Sequence, residues 1–463
     1  MAPNLKPTSE RSATIRTEGG GDAPASRRPE VSEAELRDAI GPRSGRPGGR
    51  TPDADPATPG ESALRFSSRT QTIAGVEREL SRIWSQVDLS VPDGERGGRH
   101  VAARTSVMNL VVITRRPEIA ERCAATIQHL TGRHPSRTLL ITAADPDGPA
   151  WLEAQVEAHC VLPREDAPEI CAEMIFLTAG GEAGRHLVAL VAPLVVHDLP
   201  VTVWWPNEPL FKSRQALDVL TMADRLVVDG SSWSGDGLER LRALAELSMT
   251  TRIAISDFAL DRQSRWREAI ASIFDDPDFL PYLGHVRRIA VAYATHDESG
   301  ELAGTNVVKP VYHVAWLASR LALRVKRPLA PVSATATRRV RPQGAAKPMI
   351  GRGLSAVLAD GRGEVNVLVR PISSPMPSGT TLRVELLADR RGSELRADVT
   401  AEQETVRVRV WQDGVEALDR HFTAPRRTDV DLLAQAIEAG GRDPVADGTL
   451  RAAAALVGPG EAR

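Results

Sequence analysis

Apolar positions recur at helical spacing from Ile73 onward. Ile73, Val76, Leu80, Ile83, Trp84 and Val87 share one face and predict a first helix. A continuous apolar run, Val107 to Thr114, has strand length. Pro117 then suits a first helical turn, Ile119, Cys123, Ile127 and Leu130 mark a helix face, and Gly132 ends it. Thr138 to Thr142 is a second apolar strand, and the short helical crossover implies parallel pairing. The period changes next. Trp151 to Leu162 and Glu169 to Thr178 are strand-like runs around Pro163 to Pro168, which predicts an antiparallel hairpin.

Alternation of helix and strand then resumes. The pattern predicts a helix from Glu182 to Val196, strand Val201–Trp205, helix Ser213–Met222 and strand Arg225–Val228. Helix Asp236–Met249 and strand Arg252–Ser256 follow, then a helix lined by Trp266, Ile270, Ile273 and Phe274. Val286–Tyr293 is strand-like, and a helix from Pro310 to Val325 closes the region. The natural architecture is an α/β fold with a doubly wound, mixed sheet.

Residues 327–348 form a basic, proline-bearing linker that includes Arg338-Arg339-Val340-Arg341-Pro342. Beyond it the period is two. Val365, Val367 and Val369 alternate, as do Val406, Val408 and Val410, with Arg407 and Arg409 on the opposite face. That is an antiparallel sheet with one wet side. Thr428 can cap a helix from Asp429 to Ala439, which Gly440-Gly441 ends. At the other end, residues 1–70 are rich in Pro, Gly, Ser, Ala and Arg, with too few apolar side chains to offset the entropy of ordering. A short helix around Val31–Ile40 is the one element the pattern allows there. The expected organisation is a disordered tail (1–70), an α/β domain (71–326), the linker (327–348) and a C-terminal α+β domain (349–463).

Composition narrows the class. The 463 residues are 42% hydrophobic and 25% charged, as in ordinary globular proteins. A net charge of -2 gives no electrostatic case for nucleic acid, although the tail arginines could touch RNA or an acidic surface. The apolar run from Leu187 is cut by Pro193, by His197-Asp198 and by Pro200. A membrane-spanning helix needs about 20 apolar residues, so a buried core element is the better reading. No signal-peptide pattern opens the chain, and three cysteines make no disulfide framework, so a reducing, cytoplasmic setting is expected.

Candidate chemistry is sparse. No P-loop and no clean Gly-x-Gly-x-x-Gly follows a strand. Gly180, Gly181, Gly184 and Arg185 come closest. They follow a strand and open a helix, so free backbone N–H groups and Arg185 could hold a phosphate, the alternative being a plain glycine turn. His197-Asp198 has no associated nucleophile, and the histidines show no metal spacing. Asp224 to Trp233 is a strand and polar turn of the kind that builds sites at strand ends. Trp204-Trp205-Pro206-Asn207-Glu208 is a candidate partner contact: neighbours on a strand point to opposite faces, and tryptophan is enriched at binding hot spots. The alternative packs both indoles under helices. Cys160 and Cys171 would face each other, within reach of a disulfide, if the hairpin turn centres between Glu165 and Asp166; two buried thiols is the other reading.

The stretch from Arg185 to Pro209, with its Trp-Trp-Pro block, resembles the core motif of the OpcA family, glucose-6-phosphate dehydrogenase assembly proteins. So do Arg133-His134-Pro135-Ser136-Arg137-Thr138, Glu169–Gly181, Ala223–Ser232, Trp266–Pro277 with Pro281-Tyr282-Leu283, and Val314–Leu321. These blocks spread over residues 73–325, and the C-terminal region fits more loosely. The resemblance implies a non-catalytic assembly factor and allosteric activator of glucose-6-phosphate dehydrogenase in the oxidative pentose phosphate pathway, without a cofactor. In cyanobacterial relatives it implies tuning by thiol redox state, but those cysteines do not map onto Cys123, Cys160 or Cys171. The competing class is a sugar-phosphate enzyme, such as a 6-phosphogluconolactonase-like hydrolase, working from the Gly180–Arg185 turn.

Overall fold

The computed structural model describes residues 62–459, apart from 86–89, 93–98, 102, 105, 146, 163–169, 210, 212, 214–216, 296–304, 333–352 and 403. The Val31–Ile40 helix, the tail up to residue 61 and most of the basic linker lie outside the described residues. The first sheet contains β1 (Ser62–Thr70), β2 (Met108–Thr114), β3 (Ser136–Ala143), β4 (Trp151–Val161), β5 (Ile170–Gly180), β6 (Val201–Trp205), β7 (Arg225–Val228) and β8 (Ala254–Asp257). Their order is β1-β4-β5-β3-β2-β6-β7-β8, with the short strand Ala103–Arg104 also paired to β5.

The six strands β5-β3-β2-β6-β7-β8 are all parallel. Numbered along the chain they stand 3-2-1-4-5-6, the order of a Rossmann fold. Every residue of β2, β3, β6 and β7 is buried, which explains why these strands read as continuous apolar runs. The predicted hairpin is β4–β5, antiparallel. One correction falls at the start. Ser62–Thr70, which composition assigns to the tail, is a strand paired with β4. Backbone pairing along an existing edge needs little apolar content of its own.

Helices α1 (Ile73–Ser85), α2 (Pro117–Gln128), α3 (Leu238–Thr250) and α4 (Ser264–Ile273) follow the predicted periodicity. The expected helix 182–196 does not form as one piece. The chain makes two turns of helix, Gly181–Arg185 and Leu187–Val191, and then a bend in which Asp198 takes φ 66°. Buried Asn109 on β2 holds that bend. Its side chain donates to the Val196 and Leu199 carbonyls and accepts from the Val196 N–H.

The second sheet contains β9 (Val286–Thr295), β10 (Arg324–Val332), β11 (Gly353–Asp360), β12 (Gly363–Ser373), β13 (Thr381–Arg390), β14 (Ser393–Glu402), β15 (Thr405–Gln412) and β16 (Val415–Thr423). The order is β10-β11-β12-β9-β13-β14-β15-β16. Only β9 and β12 pair in parallel; the other neighbours are antiparallel. Two expectations change here. Val286–Thr295 joins the middle of this sheet rather than the first. The helix expected to run to Val325 is α5 (Val308–Arg320), and Arg324–Val332 becomes an edge strand instead of linker. Pro328 and Pro331 are tolerated because an edge strand has free N–H positions to lose.

Two C-terminal helices, α6 (Asp429–Glu438) and α7 (Pro444–Val457), close the chain. Thr428 caps α6 through a capping box with Asp431. Leu432, Leu433 and Ala436 of α6 share a buried cluster with Met108, Leu110 and Trp204 of the first sheet. The C-terminal helix α6 therefore covers the first sheet.

Candidate functional site

In an open parallel sheet the site-forming crevice lies at the carboxyl ends of the strands, where the connections reverse direction. Here the chain runs from β2 outward through β3 to β5, then returns to β6 on the other side of β2. The crossing point is therefore β2/β6. A cleft of about 870 Å³ opens there, lined by Thr114, Arg115 and Arg116 after β2, by Trp205, Asn207 and Glu208 at the end of β6, and by α3 residues including Arg240, Arg242 and Glu246. Ile113, Ala143 and Phe211 add apolar wall.

The structure redistributes the five contact residues expected from sequence. Trp204 and Trp205 do point to opposite faces, but helices cover both, leaving them 2% and 1% exposed. Trp204 joins the α2/α6 cluster, 5.9 Å from Phe258. Trp205 lies in the other cluster, edge-on to Phe211 at 6.3 Å. The expectation that an indole presents a contact surface is corrected by this two-sided packing. Pro206 is buried too, and its carbonyl accepts from Ser232. Asn207 and Glu208 retain surface at the cleft. The Asn207 Oδ1 is 3.4 Å from the Thr114 hydroxyl. Glu208 accepts from the Ser234 N–H at 2.7 Å and pairs with Arg240 at 2.5 Å. Partial burial works against its charge, but Ser234 and the guanidinium outweigh it and hold the carboxyl below the usual range.

A Rossmann strand order raises the question of a dinucleotide. The turn after β2 does not fit one. It reads Thr114-Arg115-Arg116-Pro117-Glu118, with no glycine to admit a pyrophosphate. Pro117 lacks an N–H, the Arg116 N–H goes to the Thr114 hydroxyl at 3.1 Å, and Glu118 puts a carboxylate at the helix start. Arg116 pairs with that carboxylate at 2.6 Å.

The Gly180–Arg185 turn does not form a phosphate seat either. A Cβ on Gly180 would stand 2.1 Å from the Trp151 indole, and one on Gly184 would be 2.7 Å from the Ala179 carbonyl. Gly181 takes φ 56° against residues 148–149, and its N–H donates to the Asp145 carbonyl. Arg185 pairs with Asp147 and Glu182. These glycines serve close packing, and the helix they open has only five residues.

His197 and Asp198 are exposed in the bend. Asp229 follows β7, accepts from Ser231 and pairs with Arg262 at 2.9 Å; Arg262 reaches on to Asp429 of α6. That arrangement anchors a turn. Cys160 and Cys171 stand directly opposite in the hairpin, Cα atoms 4.0 Å apart, and are joined as a disulfide. The third cysteine, Cys123, is buried on α2, where burial pushes its thiol up to about 12. Other distinctive blocks also have structural roles. Arg137 pairs with buried Glu173 across β3/β5 and donates to the Leu194 carbonyl, while His134 meets Glu438 of α6 at 2.7 Å.

Sequence reasoning missed Thr114, Arg115, Arg116, Phe211, Arg240 and Arg242. The signal that finds them is the strand order, since only that shows which loops converge. Among the described residues, no helix is long and apolar enough to cross a membrane.

Residues 127–246 match the family described as glucose-6-phosphate dehydrogenase subunit N-terminal domain, and residues 253–447 match the corresponding C-terminal domain family. A protein of Synechocystis sp. named for the OxPP cycle, OpcA, is 29% identical over 185 residues, 40% of this chain and 36% of that protein. Its Synechococcus elongatus namesake is 26% identical over 176 residues, 38% of this chain and 37% of that protein. The match thus spans little more than a third of the length of either curated relative. Among solved structures, the transcriptional regulator Gal80p of a Kluyveromyces yeast superposes with a TM-score of 0.40 at 10% identity, over 75% of this chain and 91% of that one, a likeness too loose to carry argument. The two consecutive domain matches settle the family: the chain belongs to the OpcA family, whose two domains are described as those of a glucose-6-phosphate dehydrogenase subunit.

Proposed function

We infer that this protein is a non-catalytic assembly factor and allosteric activator of glucose-6-phosphate dehydrogenase in the oxidative pentose phosphate pathway. The observation that carries the reading is the pair of domain matches described for a subunit of that enzyme, which together span residues 127–246 and 253–447. The closed dinucleotide turn after β2 supports a role other than hydride transfer. An activator must bind the active state of its partner better than the inactive one. A ten-fold gain in apparent substrate affinity needs about 1.4 kcal/mol of such coupling, which one moderate interface supplies. We assign the contact to the exposed rim that carries Asn207 and Glu208.

The test is kinetic and hydrodynamic. The cognate dehydrogenase is assayed at sub-saturating substrate with and without this protein, and the mixture is run on a sizing column. A co-eluting complex with lowered KM or raised rate is expected. Asn207→Arg combined with Glu208→Lys should weaken the complex at least ten-fold while leaving this chain folded. No complex and no rate change, under both oxidising and reducing conditions, would overturn the reading.

A further inference from the structure

We propose that the β2/β6 cleft binds a small phosphate monoester, of the sugar-phosphate or mononucleotide class, through the guanidinium groups of Arg115 and Arg242. This site belongs to the chain alone and does not depend on the dehydrogenase reading. Its volume, about 870 Å³, is that of a small-molecule pocket. Its position is the one where such sheets hold ligands.

Charge decides the ligand class. Four arginines line the cleft. Arg116 is engaged by Glu118, and Arg240 by Glu208 and the Ser234 carbonyl. Arg115 and Arg242 make no ion pair or hydrogen bond among the described residues. Three carboxylates also line the wall. Glu208 is held by Arg240 and Glu239 has its own interaction, while Glu246 stands one turn from Arg242 on α3 without pairing to it. Two free planar forks beside an apolar wall suit a bidentate oxyanion on a compact body. Thr114 and Asn207 offer hydrogen bonds to hydroxyl groups on that body.

Geometry also limits the size. A dinucleotide would seat its pyrophosphate on the first turn of α2, and there Pro117, the Glu118 carboxylate and the Arg116–Thr114 hydrogen bond close the backbone to it. The anion must therefore be held by side chains, as a terminal phosphate can be.

The experiment is titration calorimetry on the full chain with glucose 6-phosphate, AMP, glucose, inorganic sulfate and NADP. Binding of at least one monoester, ten-fold or more tighter than glucose and sulfate, is expected; which of the two binds separates the sugar-phosphate source from the nucleotide one. Arg115→Ala with Arg242→Ala should weaken that binding at least ten-fold without moving the ligand-free melting temperature by more than a degree or two, because neither side chain makes an ion pair or hydrogen bond among the described residues. Lysine at both positions should restore only part of it, since the charge returns without the fork. Monoesters that bind no better than glucose or sulfate, or equally well to the double alanine variant, would overturn the proposal. Tighter binding of NADP than of any monoester would overturn the size argument.

Discussion

At the scale of single residues, the buried titratable groups have opposite signs. Asp257 ends β8, fully enclosed, and accepts from Gly230 N–H, Ala259 N–H and the Tyr312 hydroxyl at 2.6 Å. Burial pushes its carboxyl up to about 7 against the Tyr312 hydrogen bond, with nearby Asp229 adding to the rise. Its folded value lies above its unfolded one, so the native state holds the proton more tightly between about pH 4 and 7. The stability this group contributes is full below the ordinary aspartate range and is lost as pH rises towards 7. His313 runs the other way. Burial, helped by the charge of Arg267, takes it down to about 3, so its contribution is lost as pH falls below the ordinary histidine value. Asp257→Asn removes only the first effect. The stability difference between variant and wild type should therefore change by up to about 1.4 kcal/mol per pH unit across that window, in favour of the variant as pH rises. A difference in denaturant midpoints that stays flat with pH would refute this assignment. The paired tryptophans belong at this scale too. Trp204→Ala should cost about 3–5 kcal/mol, measured by urea unfolding, so it reports on the core and not on a contact face.

At the scale of elements, the β3–β4–β5 region is tied together in two ways. Arg137 and Glu173 face each other in register on β3 and β5, nearly inaccessible to water. Arg137→Met alone should destabilise by about 3–5 kcal/mol because it breaks a buried ion pair by removing one partner. Adding Glu173→Leu should recover much of that loss; a double variant as unstable as the single one would show that the pair itself is favourable. The Cys160–Cys171 bridge closes a loop of 11 residues in sequence. By chain entropy it should contribute about 3 kcal/mol, read as the difference in unfolding free energy between wild type and Cys160→Ala with Cys171→Ala. Both cysteines are fully buried, so reduction by a small thiol should track unfolding rather than precede it. Rapid reduction of the folded protein would contradict that burial.

At the scale of the molecule, the two sheets share their covering helices. α6 packs on β2 and β6 although it follows the whole second sheet in sequence, and Arg262–Asp429 fastens it there. A fragment ending at residue 326 would expose Met108, Leu110 and Trp204. It should bind a hydrophobic dye and unfold without a cooperative transition, and a cooperatively folding fragment would show instead that residues 71–326 are an independent domain.

Much of this was legible in the chain because period and burial are local properties. A buried parallel strand must be apolar throughout, and a helix must repeat its apolar face, so β2, β3, β6, α2 and the β4–β5 hairpin could be read directly. Thr428 likewise announces the start of α6. The break at residues 186–198 was not legible, because it depends on Asn109, far away in sequence, taking the backbone groups of the bend. Nor was the fate of Val286–Thr295, since a strand pattern does not say which sheet takes the strand. By itself the sequence determined most of the elements, the alternation that makes a doubly wound sheet and the family blocks. The tertiary structure alone decided that both tryptophans are enclosed, that the glycine turn is packed shut and that four arginines meet beside β2 and β6. Those outcomes depend on strand order and covering helices, which couple residues a hundred positions apart and leave no periodic trace.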